Sequence, residues 1–205
     1  MTVPFGIQMT IIKLSPELSK RGDEKMYQEC ITLMKQQGVE FAEGLSSDEI
    51  AAIEKHYGVK FPQSLKEFLM EALPVSKGFY NWRDLRSDNT DFIEQMIRYP
   101  LESFEEFASE VDWCEEWGDQ PETLQELENI IRTRLRSAPK LIPLYSHRYI
   151  PVYSDNPPVF SVHGVDVIYY GENLEQYLNA EFGDKKQSQL NWKEIKCIPF
   201  WSDVM

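Results

Sequence analysis

Cysteine is scarce in this chain, and the three present, Cys30, Cys114 and Cys197, are far apart and odd in number. They form no CxxC pair and have no histidine at zinc-finger spacing, so neither a disulfide framework nor a structural zinc is expected, and the thiols read as reduced. Long apolar runs are missing as well: a membrane span needs about 20 such residues, and no stretch comes near that length. The opening MTVPFGIQMTIIKLSPELSK lacks a cationic start followed by an apolar core, so no secretory signal is expected and the cytoplasm is the expected compartment. Enzyme signatures are absent too. HExxH, GxGxxG and the P-loop do not occur, nor does the GxSxG elbow of a nucleophilic serine. No catalytic residue, no metal site and no cofactor is expected, and no internal repeat or low-complexity tract divides the chain.

What is present describes an ordinary folded protein. With 205 residues, 42% hydrophobic and 27% charged, a single domain is expected, burying roughly 70% of its unfolded surface without a staple. The net charge of −13 is more informative. Such a surface repels phosphate backbones and anionic lipid head groups, so neither nucleic acid nor membrane is expected as a partner. A basic protein, by contrast, would be attracted and steered toward it.

Helical spacing of Met26, Cys30, Leu33 and Met34 predicts a helix over 23–37, stopped by Gly38. Ser46 and Glu49 make a capping box, with Leu45 placed to staple onto Ile50. Ile50, Ile53 and Tyr57 then share one face, and Gly58 ends that helix. A second short helix starts at Phe61-Pro62, faces Leu65, Phe68, Leu69 and Leu73 inward, and stops at Pro74. Residues 75–87 read as a strand or an ordered loop. Helices follow over 89–99, 103–112 and 121–136, punctuated by Pro100 and Pro121, with Phe92, Met96, Phe104, Phe107, Leu124, Leu127 and Ile131 inward. From Leu141 the period changes to short β-branched and aromatic runs separated by Pro and Gly. Pro143 and Pro151 mark edge-like or bulged strands. Residues 172–182 return to helix. Helices first and an antiparallel or mixed sheet in the C-terminal half give an α+β fold.

The segment GLSSDEIAAIEKHYGVKFPQSLKEFL (44–69) resembles the N-terminal helical hairpin of the SUKH superfamily, through Leu45, Ser46, Glu49, Ile50, Ile53, Glu54, Gly58, Phe61, Pro62, Phe68 and Leu69. The later segment 141–182 is similar to that superfamily's β-meander and closing helix, through Ile142-Pro143, Pro158-Val159-Phe160-Ser161 and Tyr169-Tyr170-Gly171. On this resemblance residues 83–137 are a helical insertion and 1–38 an extension. The superfamily holds bacterial immunity proteins that neutralise toxins, often nucleases, and a fungal regulator of cell-wall assembly. It has no catalytic motif to transfer, so the resemblance implies a protein-binding domain.

Charge is the sharpest local anomaly. Between Leu101 and Ile131 stand eleven acidic residues and no lysine or arginine. At the centre, Asp112, Glu115, Glu116 and Asp119 surround Trp113 and Trp117, a partner-binding candidate: tryptophan is frequent at binding hot spots, and carboxylates can mimic phosphates before a basic protein. The plainer reading is that the indoles pack at a helix end and the acids form a solvated face. The spacing of these carboxylates does not fit an EF-hand. A different candidate is a ligand pocket between helices and sheet, lined by Tyr80, Trp82, His147, Arg148 and Tyr149. His147 and His163 otherwise read as residues on the sheet rim. The expected function is an immunity protein that binds a basic toxin stoichiometrically; the alternative is a ligand- or peptide-sensing regulatory domain.

Overall fold

A computed structural model gives the structure of the protein, with residues 26–205 described. Much of the expected 1–38 extension, and the start of its helix, lie outside the described residues. The remainder of that helix is α1 (Gln28–Gln36). Strand β1 (Phe41–Glu43) pairs antiparallel with β2 (Ala72–Pro74), enclosing α2 (Ser47–Tyr57) and α3 (Gln63–Glu71). Leu73, expected at the end of a helix, lies in β2.

The capping box forms as the sequence predicts. Ser46 Oγ accepts from the Glu49 amide and the Glu49 carboxylate accepts from the Ser46 amide, while Gly58 closes the helix in the left-handed region at φ +61°. Arg83 adds a tie from further along the chain. Its guanidinium meets Glu49 at 2.6 Å and donates to the carbonyls of Glu43 and Gly44. These bonds and the Ser46 amide hold the Glu49 carboxyl down at about 2.

The middle of the chain departs from expectation. Instead of two helices broken at Pro100, one helix, α4 (Ser87–Glu106), runs through it. Proline inside a helix leaves the carbonyl four residues back without its amide, here that of Met96. The Tyr149 hydroxyl donates to this carbonyl at 3.2 Å, so a side chain from the sheet replaces the missing bond. Beyond Glu106 the expected helix to residue 112 gives way to a 3-10 turn over Ala108–Glu110, where Ala108 and Val111 pack toward α5 (Leu124–Leu135). Phe92, Phe107 and Leu124, expected inward, are exposed. On α4, Ile93 and Phe104 fill the stripe turned to the core, while Phe92, adjacent to Ile93, and Phe107, at the C-terminal cap of the helix, fall beside it.

Four antiparallel strands follow in spatial order, β3 (Leu141–Tyr145), β4 (Arg148–Pro151), β5 (Val159–His163) and β6 (Asp166–Gly171), and α6 (Leu174–Phe182) closes the meander. Pro143 sits on the outer strand β3 beside a register shift and Pro151 ends β4, as edge-tolerant prolines should. Burial is nearly continuous along β3, β4 and β5 rather than alternating. Both faces of the sheet are therefore covered. One face, with Ile142, Leu144, Ile150 and Val159, joins the core built by α1, α2, α3 and α6. The opposite face, with Tyr149, Phe160, Val162, Val167 and Tyr169, joins Phe104, the α5 residues Leu127, Ile131 and Leu135, and the C-terminal Ile198, Phe200 and Trp201. No helix among the described residues is long and apolar enough to cross a membrane.

Candidate functional site

The acidic segment is built around its two tryptophans. They stand not on a helix end but in an irregular loop with one 3-10 turn over Glu115–Trp117, turned by Gly118 at φ +98°. Trp113 donates its indole N–H to the Gly118 carbonyl at 2.9 Å, folding the loop on itself. The Trp117 indole donates to Asp203 Oδ2 at 3.1 Å, stacks parallel to Phe200 and lies under the Arg134 guanidinium. Trp113 meets it edge-on at 5.4 Å. Both indoles are half-buried and fasten the loop to the body, while Asp112, Glu115, Glu116 and Asp119 are all exposed. Among the described residues no group of three or more His, Cys, Asp and Glu side chains is arranged to hold a metal ion.

A cleft of about 530 Å³ opens where α4 crosses the β3–β4 turn. The turn is held in place from below. Ser146 adopts a left-handed backbone at φ +49°, unusual for a residue with a side chain. Its amide donates to the Gly78 carbonyl at 2.8 Å and its carbonyl accepts from the Tyr80 hydroxyl at 2.6 Å. Gly78, at φ +99°, lies so close to the Tyr145 ring that a Cβ would come within 2.5 Å of it. Tyr80 stacks on Phe92, centroids 5.7 Å apart, Tyr99 supplies further aromatic surface, and the buried Tyr149 closes the floor. Burial pushes the Tyr80 phenol up to about 12, so it stays protonated at neutral pH.

Of the pocket residues expected from sequence, Tyr80, His147 and Tyr149 meet at this cleft. Two do not. Trp82 is buried behind it, edge-on to Tyr57 and Phe61. Arg148 follows the alternation of β4 to the other face, where its guanidinium lies 3.6 Å from the Tyr170 ring centroid and meets Glu181 at 3.1 Å and Ser161 Oγ at 2.9 Å. Phe92, Met96 and Tyr99 also line the cleft, outside the set expected from sequence. Their i, i+4, i+7 spacing on α4 was the available signal, a second apolar stripe beside the buried one.

Arg148 also settles the chemistry of His147. A guanidinium only donates, so the Arg148 N–H bonded to His147 Nε2 makes that nitrogen the acceptor and leaves the ring proton on Nδ1. Nδ1 then donates to Ser146 Oγ at 3.2 Å. Burial, with the adjacent Arg148 charge, lowers the His147 pKa and favours this neutral ring. With its Nδ1 lone pair gone, His147 cannot take the Ser146 proton. The pair has the contact of a nucleophile and base but the wrong tautomer for that role.

The sequence model of the SMI1 / KNR4 family (SUKH-1) matches residues 44–180, more than half of the chain. The chain belongs to this family. The SUKH-1 match spans the capping box of α2, α4 and α5, the meander and most of α6. Comparison with curated proteins and with solved structures gives no match. The α+β architecture agrees with the SUKH-1 assignment, and the acidic loop and the aromatic cleft both lie inside the matched span.

Proposed function

We propose that this SUKH-1 protein is a non-enzymatic, cytoplasmic immunity-type protein that binds a basic toxin stoichiometrically, presenting the loop 112–119 to it. One observation carries the reading: four exposed carboxylates stand on a loop that Trp113 folds on itself and Trp117 ties to the body. A loop ordered before binding loses less entropy on association, and concentrated charge accelerates encounter with a partner of opposite sign. A standard interface would cover about 800 Å² of this surface. The test is a pull-down of the cognate toxin by tagged protein, washed at rising salt. The wild type should hold the toxin at low salt and release it at high salt, and Glu115→Lys with Glu116→Lys should abolish capture. Undiminished capture by the charge-reversed protein, with the same salt profile, ends the proposal.

The cleft favours a second reading, a ligand- or peptide-sensing regulatory domain. Its volume and aromatic lining are those of small-molecule sites, and Tyr80, His147 and Tyr149 converge there. A ligand that copurifies with the protein, and is lost when Phe92 is replaced by Ala, would favour this reading.

A further inference from the structure

We propose that the cleft between α4 and the β3–β4 turn binds a small aromatic carboxylate, its ring against Phe92 and Tyr99 and its carboxylate met by Lys77 and the Ser146 hydroxyl. The inference rests on the second reading above and names the ligand class.

The first argument is charge. The protein has a net charge of −13, yet no carboxylate lines this cleft, and its one formally charged lining side chain is Lys77. An aromatic box without a cation of its own attracts cationic ligands through the ring faces. A lysine at the rim opposes that and favours an anion.

The second argument is hydrogen-bond bookkeeping. Tyr80 donates its proton to Ser146 and Tyr149 donates to Met96, so neither has a proton left for a ligand. Tyr99 accepts from the Gly164 amide at 3.0 Å and keeps its own proton. Ser146 Oγ accepts from His147 Nδ1 and keeps its own as well. Among the lining side chains, the polar hydrogens left over belong to Lys77, Ser146 and Tyr99. A ligand that satisfies them brings acceptors, and a carboxylate brings two oxygens that accept only.

Shape supplies the third. The turn is held in its left-handed conformation before any ligand arrives, and about 530 Å³ accommodates a ring with a short polar arm.

The experiment titrates the full-length, isotope-labelled protein by NMR with N-acetyl-phenylalanine, its amide and phenethylamine. The acid should shift the amides of residues 77–80 and 146–149 and bind at least tenfold tighter than either relative. Lys77→Ala, an exposed position whose loss leaves the fold intact, should weaken the acid at least fivefold and leave the amide unchanged. Phe92→Ala should weaken both. Equal binding of acid and amide, or tighter binding of the amine, overturns the ligand class while leaving the cleft a binding site. No perturbation at millimolar concentration by any of the three removes the cleft reading too. Much tighter binding of a longer peptide ending in a free phenylalanine carboxylate would assign the site to a polypeptide terminus and overturn the small-molecule proposal.

Discussion

The Tyr149 hydroxyl donates to the carbonyl of Met96, four residues before Pro100. That carbonyl is the one an amide at position 100 would have bonded, so a strand residue completes the hydrogen bonding of a helix. The pairing makes a sharp prediction. Tyr149→Phe should cost about 1–2 kcal/mol of stability in the wild type, because it leaves a part-buried carbonyl without its donor. In a Pro100→Ala background the restored amide serves Met96, and the same substitution should cost markedly less. Denaturant unfolding of the four proteins measures the coupling; an equal cost in both backgrounds refutes the link.

Gly78 and Gly58 both have positive φ, but they should respond differently to alanine. At Gly58 the space for a Cβ is open, so the cost is the left-handed backbone alone, about 1 kcal/mol. At Gly78 the Cβ would come within 2.5 Å of the Tyr145 ring, adding overpacking of about 1–3 kcal/mol. Gly78→Ala should also shift NMR signals around Ser146, whose amide bonds the Gly78 carbonyl. Equal melting temperatures for the two variants would contradict this account.

Glu54 is a buried carboxylate with three partners: Lys60 at 2.7 Å, Lys66 at 2.9 Å and the Phe61 amide at 2.8 Å. Burial raises its pKa, yet the two lysines and the amide outweigh burial, and the net direction is down. Glu54→Ala leaves the Phe61 amide without an acceptor and should cost about 2–3 kcal/mol. Lys60 is 77% exposed along its side chain, and Lys60→Met should cost under about 1 kcal/mol. A reversed order in urea unfolding would show that the lysines, rather than the carboxylate, organise this corner.

Acid should weaken the protein with a definite sign. Glu49 has its pKa lowered from 4.5 to about 2 in the fold. A depressed carboxylate contributes stability above its unfolded pKa and loses it as pH falls through the folded value. Between pH 4.5 and 2 the urea midpoint should therefore fall. Arg83→Gln, which removes the first cause of the shift, should flatten that fall while lowering stability at neutral pH. An unchanged acid limb in the variant would mean that Arg83 does not hold Glu49 ionised.

Local signals were the legible part of the fold. The Ser46–Glu49 box, the Gly58 stop and the edge placement of Pro143 each follow from chemistry within a few residues. The path of α4 was hidden, because the bond that lets it pass Pro100 comes from Tyr149, which lies far along the chain. Period-2 alternation was weak in β3, β4 and β5 for a related reason: both faces of the sheet are covered, so no side of a strand turns polar. At the cleft, Tyr80, His147 and Tyr149 were recognisable as aromatic and polar groups near a turn. Arg148 and Trp82 neighbour them in sequence, but strand alternation turns Arg148 to the other face and core packing buries Trp82.

Trp201 donates to the Pro139 carbonyl, 62 residues earlier, and with Ile198 and Phe200 it roofs the outer face of the meander. On a ribosome this has a cost in time. Phe160 emerges after Phe104 and α5 but roughly 40 residues ahead of this part of its cover, which at ordinary elongation rates leaves the face incompletely roofed for about 2–8 s. During that interval the nascent sheet keeps part of an apolar face uncovered, and a chaperone that recognises such surfaces has its best opportunity to engage this chain.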